Sequence, residues 1–199
     1  MRVLSLDTTG AYCACALVDA GRILGQASEK IGRGHAERLA PMTQEMLSGA
    51  GAALADIDQI AVCTGPGSFT GLRVALAFAK GLALPRKIPV IGMSALEVHA
   101  ARMDPQLARR IAVFTDVRRG ELCFQIFENG LALTPPLTEA ADEAQSFIAA
   151  QDAHISELKG PISTALLGWL SMEASSQSHP AEPLYSRAPD AKLPGGIDP

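Results

Sequence analysis

One stretch of this sequence occurs twice. VLSLDTTGAYCACALVDAGRIL begins at Val3, and VFTDVRRGELCFQIFENGLAL begins at Val113. Each copy opens with a short apolar run that ends in an aspartate, Asp7 or Asp116. A polar or glycine-containing turn follows, then a second apolar run, then a turn glycine, Gly21 or Gly130. Fourteen residues separate the aspartate from the glycine both times. A strand–turn–hairpin repeated at this length predicts two duplicated subdomains, each followed by a helix. In the first copy strands are expected at 3–6, 13–18 and 22–29, with Asp19-Ala20-Gly21 as the hairpin turn.

After Gly32-Arg33-Gly34 the period changes. From His35 the apolar residues fall at Leu39, Met42, Met46, Leu47 and Ala50, the stripe of an amphipathic helix. Pro41 is expected in its first turn, where proline is tolerated, and Gly49 and Gly51 end it. Strands are expected at 60–63 and 90–92, with a helix starting at Ala95. In the second half a helix is expected from about Glu139 to Ala150. From Ser175 the chain carries Pro180, Pro183, Pro189, Pro194 and Pro199. That spacing rules out a helix and predicts an extended tail, disordered after Asp190. The expected division is 1–100, 101–185 and a tail of 186–199.

Between the first helix and the second half lies GPGSFTGLRVALAFAKGLAL, residues 65–84. It follows a strand and opens a helix, and unsatisfied N–H groups at such a place favour anions. Asp7 at a strand end, with Gly65, Gly67 and Ser68, forms the candidate phosphate set. Ser68 or Thr70 is positioned to cap the helix. The GxxxxGK[ST] spacing is absent and no lysine follows, so this is not a Walker loop. The other reading is a tight turn into a packed helix. That helix is apolar nearly all round and is expected to be buried on several sides, with Arg73 the one charge able to face a ligand or partner.

The string GPGSFTGLR, together with LDTTGAYCACAL, GHAERLAPM, TDVRRGELCFQIF and PLYSRAPDAK, resembles the TsaB family across nearly the whole chain. The resemblance implies an α/β chain with the actin-like ATPase (ribonuclease H-like) fold, built of two duplicated βββα-type subdomains, the second truncated. It implies a catalytically silent subunit that pairs with a TsaD-type transferase through the helices of its first subdomain. Glu37, Arg38, Leu39, Met42, Met46 and Arg73 are then the expected interface. A TsaE-type ATPase joins, and tRNA is met only through the complex. ATP or ADP would sit on the partner, and this chain alone is expected to bind no cofactor. A homodimer is left open for the isolated chain.

The residues weigh against chemistry of its own. TsaD-type proteins hold a metal with an HxxxH pair on the helix after the strand that follows the glycine loop. Here that region reads GMSALEVHA, with Ala95 four residues before His99. One imidazole is a poor metal site, and the metallopeptidase reading has little support. An independent actin-fold phosphotransferase or hydrolase is the competing reading, but no late glycine-rich adenosine segment is seen. The net charge of −4 shows no basic face for gripping RNA. The apolar run from the N-terminus stops at Asp7, too short for a signal-peptide core. Cys13, Cys15, Cys63 and Cys123 show no metal or disulfide spacing. They are read as small buried hydrophobes of a cytoplasmic protein without a membrane span.

Overall fold

The computed structural model describes residues 1–106 and 109–186. β1 (Val3–Asp7) is buried on both faces, as Val3, Leu4 and Leu6 on its two sides require. It pairs antiparallel with β2 (Tyr12–Asp19), which pairs antiparallel with β3 (Arg22–Lys30). β3 is an edge strand, and its exposed positions alternate with half-buried ones. The helix α1 (His35–Gly49) follows, then β4 (Gln59–Cys63), α2 (Phe69–Ala83), β5 (Val90–Met93) and α3 (Ala95–Met103). β4 lies parallel to β1, and β5 parallel to β4. The first sheet thus runs β3-β2-β1-β4-β5, the strand order of the actin-like fold.

The second half repeats this order and then stops short. β6 (Arg110–Asp116) and β7 (Glu121–Glu128) form the second hairpin. The third strand is split into β8 (Leu131–Ala132) and β9 (Leu137–Ala140), both on the same edge of β7. The interruption falls at Pro135-Pro136, which have no N–H to offer a ladder. The Thr134 hydroxyl accepts from the Ile126 N–H at 3.2 Å and fills part of the gap. Then come α4 (Ala141–Ala149), β10 (His154–Glu157), parallel to β6, and α5 (Thr164–Ser171). Among the described residues the second sheet has no counterpart of β5.

The layers are helices, sheet, helices, sheet, helix. Leu39, Met42 and Met46 of α1 and Ala75, Leu76 and Ala79 of α2 join one face of the first sheet in a single core. Ala165 and Leu167 of α5 cover its other face. α3 serves both halves: Ala95 and Val98 face the first sheet's core, while Leu96 and Ala100 face the second. Ala144 and Ile148 of α4 close the far side.

Several expectations need correcting. Pro41 lies in the second turn of α1, on its exposed side. Glu139 and Ala140 pair with Leu122 and Glu121, so α4 starts two residues later than expected. α2 is buried on one side only; Phe69, Arg73 and Ala77 are exposed. The division at residue 100 falls inside α3, and α5 returns to the first sheet rather than closing the second. The strap that follows returns too: the Gly92 N–H donates to the His179 carbonyl at 2.9 Å and the Leu184 N–H to the Thr64 carbonyl at 2.8 Å. β10 and α5 were not foreseen. Of the expected tail, 187–199 lies outside the described residues. No helix among the described residues is long and apolar enough to cross a membrane.

Two helical glycines should respond oppositely to alanine. A Cβ on Gly168 would stand 2.6 Å from Cγ2 of Val18, a stiff buried side chain, whereas one on Gly81 meets nothing within 4 Å. Gly168→Ala should lose about 1–3 kcal/mol through overpacking, and Gly81→Ala should gain about 0.5–1 kcal/mol. Urea denaturation followed by circular dichroism distinguishes them; equal midpoints would refute the packing of α5.

Candidate functional site

The glycine loop is occupied by the chain itself. A Cβ on Gly67 would lie 2.4 Å from the Thr9 carbonyl oxygen, and one on Gly71 would overlap the Thr8 carbonyl oxygen. The turn after β1 therefore packs directly onto the start of α2. The Ser68 N–H, which a phosphate would need, donates to the Thr9 carbonyl at 2.7 Å. The Thr8 hydroxyl donates to the Gly71 carbonyl at 2.6 Å. Ser68 is the N-cap of α2, its hydroxyl accepting from the Gly71 N–H at 3.4 Å. Gly65 lies under the strap, near the Leu184 carbonyl. Gly65, Gly67 and Ser68 thus come together as expected, but around Thr8 and Thr9.

Asp7 is 2% exposed. Its Oδ1 accepts from the Thr9 N–H at 2.9 Å and from the Thr9 hydroxyl at 2.7 Å. Burial pushes its carboxyl up from the ordinary value, against the opposing Thr9 hydrogen bonds. Its repeat partner Asp116 is exposed and accepts from the Arg118 N–H at 2.6 Å, the same short-range capping of a turn. The four cysteines are buried thiols. Burial pushes the thiols of Cys13 and Cys15 up to about 11.

Two openings flank the loop. A cleft of about 830 Å³ runs between the two hairpin turns, walled by Thr9, Arg33, His35, Glu37, Asp116 and Arg118. His35 Nε2 is buried there without a hydrogen-bond partner. Beside it, a groove of about 470 Å³ lies between α1 and α2, lined by Ala36, Leu39, Phe69, Thr70, Arg73, Val74, Ala77 and Phe78. Over the rim, Tyr185 of the strap packs on Phe69 with ring centroids 5.2 Å apart.

The expected interface residues divide. Leu39, Met42 and Met46 are 1%, 0% and 7% exposed, so they fill the chain's own core, and only Leu39 also floors the groove. Arg38 is held by Glu29 and Glu45 on either side. Glu37 and Arg73 are exposed. Phe78 and Tyr185 carry the groove and its rim and were not singled out from the sequence. The signal for Phe78 was its place on the open side of α2. For Tyr185, 112 residues from Arg73, no local pattern existed. His99 is buried against the Ser156 hydroxyl at 2.8 Å, and His179 Nε2 lies 3.1 Å from Glu97. Among the described residues no three His, Cys, Asp or Glu side chains are grouped to hold a metal.

A carboxyl whose pKa is higher folded than unfolded binds its proton more tightly in the folded chain. Stability then falls as pH rises from about the unfolded value, 3.8, through the raised folded value. Asp7→Asn keeps an oxygen acceptor for Thr9 and removes the buried charge. It should abolish that fall and leave the chain at least as stable as wild type at pH 7. Urea midpoints across pH 4–7 test this; a variant less stable at pH 7 than at pH 4 relative to wild type would overturn it.

Residues 23–163 match the family model described as TsaD: tRNA N6-adenosine threonylcarbamoyltransferase. The Escherichia coli tRNA threonylcarbamoyladenosine biosynthesis protein TsaB is 38% identical over 135 residues, 66% of this chain and 58% of that protein. The chain thus spans little more than half the length of this curated relative. An uncharacterized protein of Mycobacterium tuberculosis is 30% identical over 206 residues, covering 96% of this chain and 93% of its own. The solved structure of YeaZ from Pseudomonas aeruginosa superposes with a TM-score of 0.71 at 29% identity, over 92% of this chain and 99% of that one. The duplicated hairpins, the glycine loop closed by its own threonines and these likenesses agree: the chain belongs to the TsaB family.

Proposed function

We propose that this chain is a non-catalytic subunit of the machinery that builds threonylcarbamoyladenosine in tRNA, and that it binds and activates a TsaD-type transferase. The observation that carries the reading is the groove between α1 and α2. A helix that buries only one side and turns Phe69, Ala77 and half-buried Phe78 outward leaves an apolar surface that a partner would cover. Helices of a second protein laid on α1 and α2 would complete a bundle. Two further observations support the silent role. The glycine loop has its Ser68 N–H committed to Thr9, and Asp7 is shut away from the cleft wall.

In this reading the chemistry is the partner's. The adenosine N6 attacks the carbamoyl carbon of a threonylcarbamoyl–AMP conjugate, the N–C bond forms, the C–O bond to the phosphate breaks, AMP leaves as the anion, and N6 gives up one proton to solvent. The subunit contributes by favouring the transferase's active arrangement, a population shift rather than a reacting group. Nucleotide sits on the partner, a TsaE-type ATPase joins the pair, tRNA is held through the complex, and the assembly works in the cytoplasm.

Size-exclusion chromatography with light scattering on this chain mixed with its cognate TsaD-type protein tests the reading. A one-to-one complex is expected, with threonylcarbamoyl transfer to tRNA that the transferase alone lacks. Phe78→Asp should weaken the complex at least about tenfold, the effect of a charge desolvated in an apolar contact, and keep the fold. Met42→Asp should instead unfold the chain. Full transferase activity without this chain would defeat the proposal.

A further inference from the structure

Arg73 sits on the exposed side of α2, at the rim of the groove. It is held from two directions. Its Cζ lies 3.8 Å from the centroid of the Phe69 ring, and its Nε–H donates to the Tyr185 hydroxyl at 3.1 Å. Tyr185 is in turn fixed by the strap, whose Leu184 N–H is bonded to the Thr64 carbonyl. An exposed arginine ordinarily samples many rotamers; this one is preorganised by two aromatic rings.

Its hydrogen bonding is nonetheless incomplete. Arg38, on the neighbouring helix, is clamped by Glu29 and Glu45. Among the described residues no carboxylate lies within ion-pair distance of Arg73. With Nε taken by Tyr185, the two terminal nitrogens remain as a fork of N–H donors, the arrangement that suits a carboxylate. The surface around this fork is apolar, and among the described residues Arg73 is the one charged residue lining the groove. One fixed cation beside an aliphatic trough matches an amphipathic helix. It does not match a polyphosphate or an RNA backbone, which would call for several cations.

We propose that Arg73, held by Phe69 and Tyr185, receives a carboxylate from an amphipathic helix of the transferase partner, whose aliphatic side chains fill the groove. This rests on the proposed function and adds to it the polarity of the contact. The acidic residue lies at the strap end of the groove, so the partner helix is registered along α2 by one ion pair. The strap becomes part of the docking surface through Tyr185.

The test is the affinity of the full chain for its cognate TsaD-type transferase, measured by titration calorimetry at about 50 mM and about 300 mM NaCl, a range over which exposed charge pairs are screened. Arg73→Leu should bind roughly 10–100-fold more weakly at the lower salt and show a flatter salt dependence. Arg73→Lys should recover part of the loss, since an ammonium keeps the charge without the fork. Tyr185→Phe, which keeps the ring and loses the hydroxyl, should weaken binding about threefold, because the Arg73 fork is then less firmly preorganised. Thermal melts confirm that each variant is folded. If wild type binds and Arg73→Leu binds equally with the same salt dependence, the carboxylate anchor is wrong while the docking face stands. If wild type does not bind the transferase, the proposed function itself falls, and this inference with it. Self-association of the chain that Arg73→Leu abolishes would assign the groove to a second copy and overturn the transferase as its occupant.

Discussion

The carbonyl oxygens of Thr8 and Thr9 press against Gly71 and Gly67 more closely than any side chain would allow. This backbone-to-backbone contact fixes where the start of α2 meets the end of β1. From it follow the burial of Asp7, whose carboxylate must cap the Thr9 turn from below, and the commitment of the Ser68 N–H to Thr9. The loop's glycines are thus required by packing. The same residues in an open loop would present free N–H groups to an anion. Here the inherited shape persists while its phosphate-facing donor is spent internally.

That contact also sets what α2 can show to solvent. Pinned at its first turn, the helix lays Leu72, Ala75, Leu76 and Ala79 on the sheet and must turn the opposite side outward. That outward side carries Phe69 and Ala77 beside Arg73 and Lys80, an apolar patch that a helix facing only water does not need. The exposed Phe69 is part-covered by Tyr185, and the strap that brings Tyr185 crosses the sheet edge at Gly92, where only a glycine lets the Pro180 carbonyl approach. One loop, one helix and one strap therefore build a single surface from residues separated by more than a hundred positions.

The duplication, the strand order within each hairpin and the apolar stripe of α1 were legible in the sequence because each is a local, periodic signal. The limits have physical causes. Met42 and Met46 satisfy the same stripe whether they face a core or a partner, and periodicity alone does not say which; burial does. The all-round apolar character of α2 admitted several buried sides, yet the sheet and α1 cover only part of it and leave Phe69 and Ala77 exposed. α5 and β10 are short, so periodicity had little to act on. The split of the third strand of the second half was written in Pro135-Pro136, but its consequence, a later start for α4, depended on β7 continuing past it. The Arg73–Tyr185 contact joins residues 112 positions apart and had no local sequence signature.

α3 explains why the two halves act as one body despite the truncation. Its Ala95 and Val98 are set in the core of the first sheet, and its Leu96 and Ala100 in that of the second. α5, encoded in the second half, closes the first sheet, with Gly168 set hard against Val18 and the Ser5 hydroxyl bonded to the Thr164 carbonyl at 2.6 Å. Each half therefore carries a helix that the other needs, and neither sheet buries both faces without the exchange. This exchange of helices through small, close-packed residues opposes relative movement of the halves, because shifting α5 would disturb the Gly168–Val18 contact and the Ser5–Thr164 bond. α5 thereby backs the sheet whose opposite face carries α1 and α2.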